Sequence, residues 1–485
     1  MNIRVLESSA SCSEADIKVY LAVEGAERLE LDYDVKHAMT AHGKVTIFYG
    51  TRGSQHTAVI GLGHANRLST EMVRRAAGSA VRAFEQEGFR SAAVLLDAVP
   101  AETLAFDAVL GAWVEGWILG RYTFGGYKKD PHQGTLEELI LLHAGGDSSA
   151  AQHAIEKSRR RTESTMLARD WCNEPANVMT PEQLTERIVQ RFNGRAHTRV
   201  KVYRGEALAE HGMNGLLAVA QGSRQLPALV EVAYTSDPSL PLLALIGKGM
   251  TFDMGGMNVK TGRDLSEARF DMGGACAVIG ALDLLIASGA AANVVALIAI
   301  ADNVPGAGAL LPSSIVRYPN GLTVQVGNTD AEGRLILADG LLHAGRLGAA
   351  EIIDIATLTG AVGHALGLRI AGVWGDPNST KSLHELGAVS GDRVWPMPLI
   401  DDDDALLGSD YADLNNISSS AYGGANAAAL FLRRFVGVDT RWAHIDMANT
   451  VQSPTDRGYE CTGATGFGVR LLADYVMQRA EQCEQ

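Results

Sequence analysis

The seven residues Asn328-Thr329-Asp330-Ala331-Glu332-Gly333-Arg334 set the first constraint on this chain. They join an apolar run at 322–326, read as a strand, to a segment at 335–346 with helical periodicity. Two carboxylates one residue apart in so short a turn repel, and each raises the pKa of the other. A divalent cation converts that repulsion into ligation. The turn therefore predicts a metal, and further ligands elsewhere in the chain.

A length of 485 residues implies two domains. Residues 1–145 read as a smaller α/β domain, with strands at 3–5, 17–22, 45–49, 57–61 and 91–96. Its helices are expected at 70–88 and 103–119. His56, His64 and Asp107 stand isolated, so this part is expected to serve structure or assembly. A linker at 143–149 leads into a polar helix at 150–171, inside a bridging segment at 146–172. Its Lys157-Ser158-Arg159-Arg160-Arg161 run is read as a solvated face. Asn173-Glu174-Pro175 ends that helix, and Thr180-Pro181 starts the next as N-cap and first helical residue.

Residues 173–485 then alternate continuous apolar strands (242–247, 293–301, 352–356, 442–446) with helices (273–288, 335–346, 427–435). That is the pattern of a mainly parallel sheet covered by helices on both faces, an α/β fold. The acidic run Asp401 to Asp404 is expected to be a solvated loop.

Ligands of open parallel sheets bind beyond the carboxyl ends of the strands. Lys248 and Asp253 are expected on the loop after the 242–247 strand, and Asp271 just before the 273–288 helix. Asp271 alone could be a helix cap, and Asp253 alone an ordinary loop acid. With Asp330 and Glu332 they make four hard oxygen donors, enough for two metals sharing a carboxylate. Such a pair holds a water or hydroxide as nucleophile. Dications beside Lys248 and Lys260 lower a lysine pKa, so a neutral Lys248 could be a nitrogen ligand. A charged Lys260 could stabilise an oxyanion.

The stretches LIGKGMTFDMGG, ARFDMGGACAV and VGNTDAEGRLILADGLL resemble the leucyl aminopeptidases, the M17 family of two-metal exopeptidases. The likeness runs from about residue 168 onward and includes ADNVPGAGALLPSSIVRYPNG, IDIATLTGA, SDYADLNNI and WAHIDMANT. The resemblance implies Lys248, Asp253, Asp271, Asp330 and Glu332 as metal ligands, with Asp253 and Glu332 shared. It implies Lys260 as the group polarising the scissile carbonyl, and Arg334 as the holder of a bicarbonate general base. Thr357, Leu358 and Gly360 would orient a peptide whose free α-amine meets one metal. Mn²⁺, Zn²⁺ or Co²⁺ would suit the donor set. A homohexamer is implied as well.

Some residues depart from the family pattern. Met254 follows Asp253 where serine is usual, and Thr261-Gly262 follows Lys260 where proline is usual. Leu265 and Ala268 replace two methionines, the second of which lines the pocket for the first substrate side chain. Ala268 implies a roomier pocket. Met254 keeps open an alternative, a retired scaffold with a structural or DNA-binding role. Phosphoester hydrolysis would bring histidine ligands, and none accompanies these motifs.

Composition narrows the partners. A net charge of −14 disfavours nucleic acid and anionic membrane. Cys12, Cys172, Cys276, Cys461 and Cys483 form no CxxC pair, and no basic-then-apolar leader is read at the start, so a cytoplasmic setting is expected. No apolar run is expected to span a membrane.

Overall fold

The computed structural model describes all residues except 7–13, 26–34, 52–53, 98, 100–102, 131–133, 144–147, 263 and 485. Cys12 and most of the expected linker lie outside the described residues. The chain forms two compact units. Met1–Met166 with Ser453–Gly463 make the first, and Leu167–Gln452 with Ala464–Gln485 the second.

The first unit contains β1 (Asn2–Leu6), β2 (Ile17–Glu24), β3 (Val45–Phe48), β4 (His56–His64), α1 (Thr70–Gln86), β5 (Ser91–Leu95), α2 (Phe106–Gly120), β6 (Glu138–Leu142) and the start of α3 (Ser148–Asn173). The strands order as β1-β6-β5-β2-β4-β3, parallel except for β3 on β4. The strand β6 went unread in the sequence, and α2 begins at Phe106 rather than 103.

The Lys157 to Arg161 run is only partly solvated, contrary to expectation. Arg161 is buried and bonds Glu115 at 2.7 Å, and Ser158 donates to the Gly111 carbonyl oxygen. Glu115 also pairs with the buried Arg74 at 2.8 Å. An uncompensated buried carboxylate is costly, and the arginines remove that cost.

The second unit adds α4 (Pro181–Phe192), β7 (Thr198–Arg204), α5 (Glu206–Glu210), α6 (Asn214–Val219), β8 (Ala228–Thr235), β9 (Leu243–Asp253), α7 (Gly273–Ser288) and β10 (Asn293–Asn303). β11 (Ile315–Arg317), β12 (Thr323–Gln325), α8 (Gly333–Arg346), β13 (Glu351–Ala356), α9 (Gly360–Leu366), β14 (Ala371–Gly375), α10 (Pro377–Ser390) and β15 (Val394–Pro396) follow. β16 (Leu414–Asn415), α11 (Gly424–Arg433), β17 (Arg441–Asp446) and α12 (Val469–Glu484) complete it. Thr180 caps α4 through its hydroxyl, with Pro181 in the first turn.

The main sheet runs β15-β14-β17-β13-β9-β10-β8-β7. Its centre, β17-β13-β9-β10, is parallel, and antiparallel pairs flank it. Continuous apolar strands such as β10 bury both faces beneath helices. Asp401–Leu407 is a 3-10 turn, not a free loop, and Arg433 holds Asp401 and Asp404.

Helix α7 sits on β9 and β13 with backbone against backbone. A Cβ on Gly274 would lie 2.1 Å from the Ile355 carbonyl oxygen. This approach draws the N-terminus of α7, and the 3-10 turn Leu265–Met272 before it, onto the strand ends. That turn and α7 together, Leu265–Ser288, are long and apolar enough to cross a membrane, against the sequence reading. The segment is largely buried inside its unit, as a core helix is.

Candidate active site

Strand β9 is longer than its apolar run. Pairing with β10 carries it through Asp253, so Lys248 and Asp253 lie on the strand itself rather than on a following loop. The turn bearing Asp330 and Glu332 also differs from expectation. β12 belongs to a separate sheet, β11-β12-β16, with β11 antiparallel to it. Hydrogen bonds bring this turn to the main sheet. The Thr329 hydroxyl donates to the Gly255 carbonyl oxygen (2.6 Å), and the Thr329 amide donates to Asn258 Oδ1 (2.9 Å). Asn416 Oδ1 accepts from the Gly327 and Asn328 amides, and its Nδ2 donates to the Asn328 carbonyl oxygen.

The acids gather in one place. Oxygens of Asp253, Asp330 and Glu332 lie within 4.8 Å of one another. Lys260 Nζ meets Asp253 Oδ2 at 2.6 Å and also pairs with Asp330. Lys248 is 2 % exposed, and its Nζ meets Asp271 Oδ2, Glu332 Oε1 and the Thr357 carbonyl oxygen, each at 2.9 Å. Asp271 does not cap α7, whose N-cap is Met272. Its Oδ1 accepts from the Thr357 hydroxyl at 2.6 Å.

Burial and mutual repulsion push the Asp271, Asp330 and Glu332 carboxyls above their ordinary range, against the pull of the lysines. Burial lowers the Lys248 pKa, but Asp271, Glu332 and Asp253 outweigh it and the net shift is upward. Dications in the same pocket would act on Lys248 in the opposite sense. Four hard carboxylates converging with one lysine nitrogen fit divalent metals of the Mn²⁺ and Zn²⁺ kind.

The pocket, about 180 Å³, is lined by Lys248, Asp253, Lys260, Asp271, Asp330 and Glu332 and by Ala268, Thr357, Leu358 and Gly360. All these residues were singled out from the sequence. Phe270, Ala448, Val451 and Gln452 share the wall. Met254 is not among the lining residues.

Arg334 is the second residue of α8 and is buried. Nη1 donates to the Asn416 carbonyl oxygen at 2.8 Å, and Nε has no protein partner. Burial lowers its pKa to about 10, so it remains charged at neutral pH. A buried guanidinium with a spare donor fits a small anion.

Sequence reasoning missed two kinds of support. Asp446, at the end of β17, accepts from the Leu358 amide, the Thr359 hydroxyl and the Ala448 amide, and so fixes the loop along the pocket wall. Asn303, at the end of β10, lies beside the acids. Both end strands that neighbour the site strands, and position at a strand end was the available signal.

Converging acids and lysines in the larger of two α/β units define a hydrolytic enzyme, of the aminopeptidase class when known proteins are compared. Residues 166–473 match the catalytic domain of the cytosol aminopeptidase family, and residues 35–131 match its N-terminal domain. The chain belongs to the cytosol aminopeptidase family. It is 39 % identical to a probable cytosol aminopeptidase of Geobacter sulfurreducens, over 89 % of this chain and 87 % of that one. It is 37 % identical to one of Syntrophotalea carbinolica, over 94 % and 92 %. Among solved structures it is similar to the bottromycin maturation enzyme BotP (TM-score 0.85, 31 % identity, 96 % of this chain and 100 % of that one). BotP has also been solved in complex with Mn, with the same score and identity over 96 % and 99 %.

Proposed function

We propose that this aminopeptidase releases N-terminal residues from peptides at a two-metal centre held by Lys248, Asp253, Asp271, Asp330 and Glu332. The observation carrying this reading is the convergence of Asp253, Asp330 and Glu332 oxygens within 4.8 Å, with Lys248 and Lys260 against them. Nothing structural requires so many acids in one pocket. A metal pair held there would supply Lewis acidity and a water made nucleophilic at neutral pH.

The chain's own groups do the rest. The Lys260 ammonium stabilises negative charge developing on the scissile carbonyl oxygen. Arg334 would hold a bicarbonate, and that anion would supply the base that neither charged lysine nor arginine can be. Asp446 holds the Thr357 to Gly360 wall in place, and the backbone there orients the peptide. The first unit serves assembly, in a cytoplasmic homohexamer.

The test is hydrolysis of Leu-p-nitroanilide by chelated enzyme, with Mn²⁺ or Zn²⁺ added back. Activity should vanish on chelation, return with metal, and stay absent in Glu332→Ala with an unchanged far-UV spectrum. Full activity in chelated enzyme, or in Glu332→Ala, would falsify the reading.

A further inference from the structure

Asn303 ends β10 and is buried. Along β10 and β9 the parallel register runs evenly to Ala301 opposite Met250. It then shifts, so that Asn303 stands opposite Asp253. Two residues of β10 thus span three of β9. A bulge of this kind re-aims a side chain at a strand end. The extra residue lies on β9, so Asp253, in place of Phe252, comes to stand opposite Asn303.

Its Nδ2 lies 2.9 Å from Asp253 Oδ1, 3.0 Å from the Thr329 carbonyl oxygen and 3.4 Å from Glu332 Oε2. All three are acceptors, so only the amide nitrogen can face them. A flipped amide would set oxygen against oxygen. Oδ1 points the other way, toward Gly256, whose φ is +62°. A Cβ on Gly256 would lie 2.6 Å from that oxygen, so glycine there makes room for the amide.

The contacts sort the carboxylate oxygens. Asp253 Oδ1 takes Asn303 and the Gly255 amide (2.9 Å), which leaves Oδ2 toward Lys260. Glu332 Oε2 takes Asn303, which leaves Oε1 toward Lys248. The two carboxylates thus fixed are the pair that the family resemblance implies is shared between the metals.

We propose that Asn303 is a positioning residue of the metal centre: its side-chain amide, which the β-bulge of β9 sets opposite Asp253, tethers the rear oxygens of Asp253 and Glu332 so that their other oxygens face the pocket. The proposal rests on the metal-centre reading. Groups that orient metal ligands in this way typically contribute about 10–100-fold in metal affinity. The backbone carbonyl of Asn303 accepts from the Met254 amide at 2.9 Å, a bond that side-chain substitution leaves in place.

The test titrates metal-free, full-length protein with Mn²⁺, read by calorimetry and by the Mn²⁺ paramagnetic resonance signal. Wild type must bind Mn²⁺ first. If it binds none, the metal-centre reading itself fails, separately from the role of Asn303. In Asn303→Ala and Asn303→Asp, Mn²⁺ affinity should fall about 10–100-fold. Metal-free melting checks the fold of each variant, and Asn303→Ser is the reserve should either fail to fold. The aspartate is the discriminating variant. It keeps the size of asparagine and adds a negative charge, so charge alone would tighten Mn²⁺ binding, whereas loss of the donor weakens it. Unchanged or tighter binding in folded Asn303→Asp, or wild-type affinity in Asn303→Ala, overturns the proposal.

Discussion

Ala268 is the residue at which the proposed substrate choice can be tested. It is buried in the pocket wall, with Leu358 and Val451 sharing that wall. The family resemblance implies methionine at this place, against which alanine removes several heavy atoms from the wall. Each methylene of fit in an apolar pocket is worth about 1–3 kcal/mol of discrimination. The open wall should therefore favour N-terminal residues bulkier than leucine. Ala268→Met should lower kcat/KM on Phe- and Trp-anilides by about tenfold or more relative to Leu- and Met-anilides, again at one methylene's worth of discrimination. A profile left unchanged by the substitution would remove Ala268 from any role in selectivity. At this scale the sequence was most informative about charge. Asp330 and Glu332 announced themselves because two acids in one turn need a reason. Asn303 did not, because an asparagine at a strand end is ordinary until its neighbour strand is known.

Among the elements, the contact between α7 and the sheet places Asp271. It is held by two glycines. A Cβ on Gly274 would meet the Ile355 carbonyl oxygen at 2.1 Å, and one on Gly247 would meet Ala275 Cα at 2.7 Å. Backbone atoms cannot rotate aside as a side chain does, so the helix must move. Gly274→Ala should cost at least about 1–3 kcal/mol, the usual range for overpacking a core. It should shift the urea midpoint and carry Asp271 away from Lys248. A wild-type midpoint would show that the helix has slack. Strand and helix positions were legible because the core strands are continuously apolar and α7 follows an acid-and-glycine turn at Gly273. Strand ends and sheet membership were not. The polar, glycine-rich end of β9 reads as loop, yet pairing with β10 holds it extended as far as Asp253. β12 looks like a main-sheet strand, and only its partners β11 and β16 show otherwise. Arg161 looked solvated because the buried Glu115 that claims it lies 46 residues away.

At the scale of the whole molecule, charge and exposed apolar surface pull in opposite directions. A net charge of −14 keeps copies of this chain apart in dilute salt. However, Ile315 (43 %) on β11, Leu311 (57 %) just before that strand and Tyr411 (76 %) just before β16 stand exposed. Aromatic and aliphatic side chains grouped near one surface sheet are the composition of an interface core rather than of a solvated face. If the proposed hexamer forms through this surface, these side chains would be buried between subunits. Light scattering should then give six times the chain mass of 51.4 kDa. Because like-charged subunits repel over a Debye length of about 10 Å at 0.1 M salt, the assembly should loosen as ionic strength falls well below that. Ile315→Glu and Tyr411→Glu place carboxylates where the proposed interface must be dry, and each should lower the mass in solution. Far-UV spectra should stay unchanged, since both side chains are already exposed in the single chain. A mass of one chain for wild type at every salt concentration would leave the exposed apolar group without this explanation, and full-sized assemblies in both variants would move the interface elsewhere.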